Sequence, residues 1–160
     1  METIPDFISL YSSDANRSSN TLTWNIPQSY YNTTRGNVCY VSMVQSIVQT
    51  NEAKTNLIIK YNSGVQNQYS TKNDGAIIGT MGVTESPGTL NDFYSTSNQE
   101  PIKCLISARP SQIILAINTL DDTVIDTTHI QFNGIFTLKF EYLDAKEEIK
   151  NMKHQQYLNM

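Results

Sequence analysis

Between Gly134 and Leu143 the chain reads Gly-Ile-Phe-Thr-Leu-Lys-Phe-Glu-Tyr-Leu, an almost unbroken alternation of apolar and polar residues. Phe136, Leu138, Phe140 and Tyr142 share one face and Thr137, Lys139 and Glu141 the other, because successive strand side chains point to opposite sides. Thr21–Ile26 repeats the pattern, with Leu22, Trp24 and Ile26 against Thr21, Thr23 and Asn25. Such alternation describes antiparallel sheets with one buried and one wet face, whereas buried parallel strands read as continuous apolar runs. The chain is therefore expected to be all-β.

Short strand-like segments fill the remainder: Phe7–Tyr11, Val38–Gln49, Asn56–Tyr61, Ala76–Met81, Ile102–Ala108 and Ser111–Asn118, with a further piece near Thr123–Thr127. Arg35-Gly-Asn37, Asn62-Ser-Gly64, Asn73-Asp-Gly75, Ser86-Pro-Gly88 and Asn133-Gly134 lie between them. Gly, Asn and Asp tolerate positive φ and Pro pre-sets φ, so these are turn signals. Eight or so short strands at this spacing predict a sandwich or barrel. Gly82–Pro101 reads as an irregular excursion that Phe93 and Tyr94 pin to the body. Residues 144–160 change character: Ala145, Lys146, Glu147, Glu148 and Lys150 favour helix, Asp144 suits an N-cap, and Ile149, Met152 and Tyr157 make a ragged apolar stripe. We expect a 1–143 sandwich domain and a 144–160 helical or extended tail, either frayed or docked on a neighbouring subunit.

A chain of 160 residues suffices for one domain with a proper core. The net charge of −4 and the pI near 5.0 exclude a basic footprint for nucleic acid, and Lys146, Lys150 and Lys153 are diluted by Glu147 and Glu148. The first residues, Met-Glu-Thr-Ile-Pro-Asp-Phe, lack the basic flank and apolar run of a secretory signal, and no segment approaches the ~20 apolar residues that span a bilayer. Cys39 and Cys104 sit within apolar strand-like runs and are expected as buried free thiols, with a disulfide as the alternative. The acceptor triplets at Asn16 and Asn32 are then chance matches.

Catalytic chemistry finds little purchase. His129 and His154 are isolated, and no His cluster, Cys-x-x-Cys, His-Glu-x-x-His, nucleophile elbow or phosphate-cradling loop occurs. A Cys104–His129 pair in space would be needed for a nucleophile. Asp121, Asp122 and Asp126 form the densest acidic cluster, a calcium site or, on the plainer reading, a turn with solvated acids. We expect no enzyme, cofactor or metal. Trp24 shares a face with Leu22 and Ile26 and is read as core, while Tyr30 and Tyr31 follow Pro27 in a loop, free to meet a ligand or a neighbouring subunit.

The order of these pieces resembles a known family. Thr21-Leu-Thr-Trp-Asn-Ile-Pro27, the long Val38–Gln49 strand, Asn73-Asp-Gly-Ala-Ile-Ile-Gly-Thr-Met81, a polar excursion, Ser111-Gln-Ile-Ile-Leu-Ala-Ile-Asn118 ahead of an Asp-rich turn, and Phe136-Thr-Leu-Lys-Phe-Glu-Tyr142 follow one another. Together they resemble the single jelly-roll minor capsid (penton) proteins of virophages, polinton-like viruses and related large DNA viruses of eukaryotes. The resemblance implies two four-stranded antiparallel sheets in two Greek keys, with Thr21–Ile26 beside Ile135–Leu143 so that Trp24, Phe136, Leu138 and Phe140 are buried together. It implies a structural virion protein, a homopentamer at icosahedral vertices touching neighbouring major capsid proteins. Tyr30, Tyr31, Ile149, Met152 and Tyr157 are then the candidate subunit-interface residues. The alternative is a lectin-like, carbohydrate-binding β-sandwich.

Overall fold

The computed structural model describes residues 5–32, 34–50, 56–62, 64–68, 75–85, 92–96, 102–143 and 153. Its strands are β1 (Pro5–Tyr11), β2 (Asn16–Ser18), β3 (Thr21–Asn25), β4 (Val38–Thr50), β5 (Leu57–Tyr61), β6 (Ala76–Glu85), β7 (Asp92–Thr96), β8 (Cys104–Ser107), β9 (Gln112–Thr119) and β10 (Asn133–Tyr142). All the ladders are antiparallel. They form a sandwich. One layer runs β1-β10-β4-β8, the other β6-β5-β9-β3-β2, and β7 pairs with both β4 and β6, joining the layers along one edge.

The expected all-β, antiparallel architecture is what forms, with four and five strands in the layers instead of four and four. Two strands fall outside the sequence expectation. Asn16–Ser18 is short and polar, and Asp92–Thr96 lies inside the supposed irregular excursion, where Val48↔Tyr94 and Gln49↔Phe93 form ladder pairs. The 123–127 piece contributes only an isolated bridge, Asn118↔Val124. Of the 144–160 tail, Lys153 alone is described, so Ile149, Met152, Tyr157 and His154 lie outside the described residues.

One expected pairing is corrected. β3 lies beside β9, with Trp24 opposite Ile113, and belongs to the layer facing β10. Trp24 still meets Phe136, across the sandwich and not along a ladder: the rings are edge to face with centroids 6.0 Å apart. The indole is buried and its Nε1–H donates to the Tyr11 carbonyl at 2.9 Å, so its one polar atom is satisfied inside the core. Around it Leu22, Val41, Ile59, Ile113, Leu115, Ile117, Phe136, Leu138 and Phe140 are fully enclosed. Full burial of side chains of this size contributes about 1.5–3 kcal/mol each.

A bulge in β4 decides which face its second half presents. Leu138 pairs with Met43 but Thr137 with Gln45, so Val44 is the extra residue. Before it the odd positions Cys39, Val41 and Met43 point inward; after it the even positions Ser46 and Val48 do. Ile47 is thereby turned out to the surface.

Candidate functional site

The two ends of the sandwich differ in chemistry. At one end meet the start of β1, the ends of β5 and β10, the start of β4, and the connections 26–37 and 108–111. Polar side chains plug it. Asp6 faces inward at the rim of the core, where its carboxylate accepts the Tyr142 hydroxyl at 2.8 Å and the Asn32 amide at 3.1 Å to each oxygen. Arg109, at φ 53°, donates to the Arg35 and Gly36 carbonyls and lies 5.8 Å over the Tyr142 ring. Burial, then the Asp6 hydrogen bond, pushes the Tyr142 phenol up from its ordinary value.

Tyr31 belongs to this plug, which corrects its expected exposure. Its hydroxyl donates to the Pro110 carbonyl at 2.6 Å and its ring stands edge to face on Phe140, centroids 5.7 Å apart. Only 7% of it is accessible, against 59% of Tyr30. A single-turn 3-10 segment, Gln28–Tyr30, produces the contrast by turning the chain inward at Tyr31. Tyr30 alone of the pair remains available as an interface residue.

The cysteines are free and buried, as expected. Val41↔Cys104 and Cys39↔Ile106 are ladder partners, so the two thiols sit diagonally on adjacent strands, on the face turned to the core. Burial pushes Cys39 up to about 12 and Cys104 to about 11, keeping both protonated and unreactive at neutral pH. His129 lies just before β10 begins, whereas Cys104 lies level with Phe140 through their shared partner Val41. About seven strand residues, roughly 23 Å, separate them. The Cys–His pairing needed for a nucleophile does not form.

The opposite end gathers the ends of β1, β4 and β9 and the start of β10. Tyr11 pairs with Ile135 and Ile135 with Ile47, so three outward apolar side chains line up across three strands. Cross-strand neighbours sit about 4.5–5.5 Å apart, which makes the row continuous. The next row along, Ser9–Thr137–Gln45, is polar, with the Ser9 and Thr137 hydroxyls 3.0 Å apart. At the apolar row opens a cleft of about 270 Å³ lined by Tyr11, Ser12, Ser13, Ile47, Gln49, Asn133, Gly134 and Ile135. Among the described residues, none that lines it is charged.

Gly134 fixes the cleft's edge. A Cβ there would come within 2.9 Å of the Phe136 ring, so the residue read as a turn signal is a packing requirement at the start of β10. Its amide donates to the buried Ser12 hydroxyl at 2.9 Å, tying the 3-10 turn Ser12–Asp14 to the strand.

Residues 120–132 are irregular but tightly bonded. Asp121 accepts the Thr119 hydroxyl and Asp126 accepts the Thr128 amide and hydroxyl; these bonds hold both carboxyls below the usual carboxylate range. Asp122, at φ 70°, takes the Asn118 amide at 3.0 Å and pairs with the buried Lys60 at 3.3 Å. The acidic cluster shapes turns, and among the described residues no three His, Cys, Asp or Glu side chains are placed to hold a metal. Ile125, Thr127 and Phe132 are buried beneath, while Leu120, Val124 and Ile130 stand out. Of nine large exposed hydrophobics among the described residues, six lie at this end; Phe7, Tyr30 and Val44 are elsewhere. Scattered apolar side chains need no explanation, but a concentration of them marks a surface for association.

Among the described residues, no helix is long and apolar enough to cross a membrane. Neither a known family model nor a curated protein matches the chain.

Proposed function

We propose that this chain is a structural capsid protein, a single jelly roll of the penton type that assembles as a homopentamer at the vertices of an icosahedral virion. The observation that carries the reading is the pairing order. Numbered as they pair, β1-β10-β4-β8 faces β3-β9-β5-β6, and the chain changes layer at every connection between these eight strands except β5 to β6. Two Greek keys wound together require that order. β2 and β7 are additions to it.

The distribution of exposed apolar groups supports the same reading. A ring of like subunits needs a heterologous contact, in which one patch meets a different patch on the next copy. An aliphatic cleft whose described lining carries no charge suits the core of such a contact, since interface cores are depleted of charge. Tyr30 and the tail residues Ile149, Met152 and Tyr157 are proposed as further subunit-interface residues, and neighbouring major capsid proteins as partners of the assembled ring. No catalytic role, cofactor or direct nucleic-acid contact is part of the proposal.

A carbohydrate-binding sandwich is the competing reading. It needs an aromatic platform, and with Tyr31 in the core and Trp24 enclosed, the tyrosine pair offers Tyr30 alone. Electron microscopy of the purified full chain separates the two. Particles with fivefold rotational symmetry are expected; unassembled protein that instead binds immobilised glycans with saturable affinity would replace the capsid reading by the lectin one.

A further inference from the structure

Ile130 is the most exposed large hydrophobic residue described, at 92%, and it is held out on a firm support. Behind it Phe132 is buried, and the Thr127 amide and hydroxyl both donate to the Ser19 carbonyl, at 2.6 and 2.7 Å. The Arg17 guanidinium donates to the Thr127 carbonyl at 2.9 Å and to the Phe132 carbonyl at 3.4 Å. The turn is closed by His129 N to Asp126 O and Phe132 N to His129 O. An apolar side chain presented this way loses little freedom on binding, which is the advantage of a pre-organised anchor.

The same end of the molecule carries a matching recess. The cleft floored by Tyr11, Ile47 and Ile135 measures about 270 Å³, and a cavity of about 150 Å³ already accommodates a benzene ring. Its rim of Ser12, Gln49 and Asn133 is polar but uncharged, so among the described residues a charged occupant would find no counter-ion. Residues 128–131 include no acid, lysine or arginine. Ile130 does not fill the cleft of its own chain, since it stands in solvent. Each copy thus presents an aliphatic knob and an apolar hole whose described lining carries no charge.

We infer that the occupant of the Tyr11–Ile47–Ile135 cleft is Ile130 of a second copy of this chain. The inference rests on the capsid reading for the number of copies, and on the knob and the hole for the place of contact. Repeated around a closed ring, the contact makes each subunit both donor and acceptor; reciprocated between two copies, it makes a twofold pair.

Sedimentation of the full chain beside Ile130→Asp and Ile47→Asp tests it, with thermal melts to establish that both variants remain folded. A fall of both variants to monomer mass, with melts unchanged, is expected. A second measurement mixes Ile130→Cys copies with Ile47→Cys copies under mild oxidation. The mixture is expected to form a cross-linked dimer in which one copy of each variant is joined, at a yield at least tenfold above either variant alone; the native cysteines are buried and do not compete. A fivefold ring that survives Ile130→Asp and gives no mixed cross-link overturns the contact and leaves the capsid reading standing. A twofold particle broken by both substitutions supports the contact and overturns the vertex reading. A wild-type chain that stays monomeric at millimolar concentration overturns both.

Discussion

The two ends of this sandwich spend their polar and apolar residues in opposite ways. At the plugged end Asp6, Tyr31, Tyr142 and Arg109 turn inward and satisfy one another or backbone carbonyls, so hydrogen bonds close the core where the strands run out. At the other end hydrogen bonds tie the turns to distant strands, yet aliphatic groups are still left facing water. A closed end stabilises the single chain. An open apolar patch gains only when something covers it. On the proposed reading, one end serves stability and the other association.

That division can be broken by experiment, and the largest effect is expected in alkali. Cys39 is held up from an ordinary 9.0 to about 12, and the Tyr31, Tyr61 and Tyr142 phenols are also raised, with burial the chief cause in every case. A raised pKa means the folded chain holds its proton more tightly, so this stability is complete below about pH 9 and disappears as pH climbs toward 12. Circular dichroism should record loss of the sheet signal across that window, with Cys39→Ala moving the onset upward. A fold that persists at pH 12 while Cys39 titrates near 9 would contradict the sign.

Next in size, Asp6→Ala should lower stability by about 3 kcal/mol, because the Tyr142 hydroxyl and the Asn32 amide lose their acceptor inside the plug. Denaturant titration measures it, and a change below 1 kcal/mol would mean that the plug is decorative. Gly134→Ala should cost about 2 kcal/mol, since the new methyl must displace the Phe136 ring. Tyr61→Phe should change stability by about 1 kcal/mol or less, in the stabilising direction, because the buried Tyr61 hydroxyl has no hydrogen-bond partner among the described residues. A clear loss of stability would indicate a hidden partner. Smallest of all, Ile130→Ser should alter unfolding by less than about 0.5 kcal/mol while abolishing assembly. A large loss of stability in the isolated chain would show that Ile130 serves the fold.

The layer architecture was legible because alternation survives in long strands: Phe136, Leu138 and Phe140 were assigned inward from spacing alone, and so was Trp24. The candidate site was not, and Ile47 shows why. Counted from Cys39, Val41 and Met43, position 47 belongs on the inner face; the bulge at Val44 reverses the count, and nothing in a run of valines and isoleucines announces a bulge. Tyr31 misled in the other direction. A loop tyrosine after Pro27 looks exposed until the 3-10 turn buries it against Phe140, a partner 109 positions away in the chain. Gly134, beside Asn133, carried a turn signal whose real cause is the ring two residues on. The neighbours of β3 failed on the same ground: alternation states which face is buried, and it is silent on which strand lies alongside.

Amide hydrogen exchange, followed by mass spectrometry on dilute and concentrated full-length protein, addresses the division between the ends most directly. On concentration, the peptides covering 9–13, 45–50 and 118–135 should gain protection, while those covering 26–32 and 108–111 should exchange at an unchanged rate. Protection gained at the plugged end with none around Ile130 and Ile135, or no concentration dependence anywhere, would contradict the account.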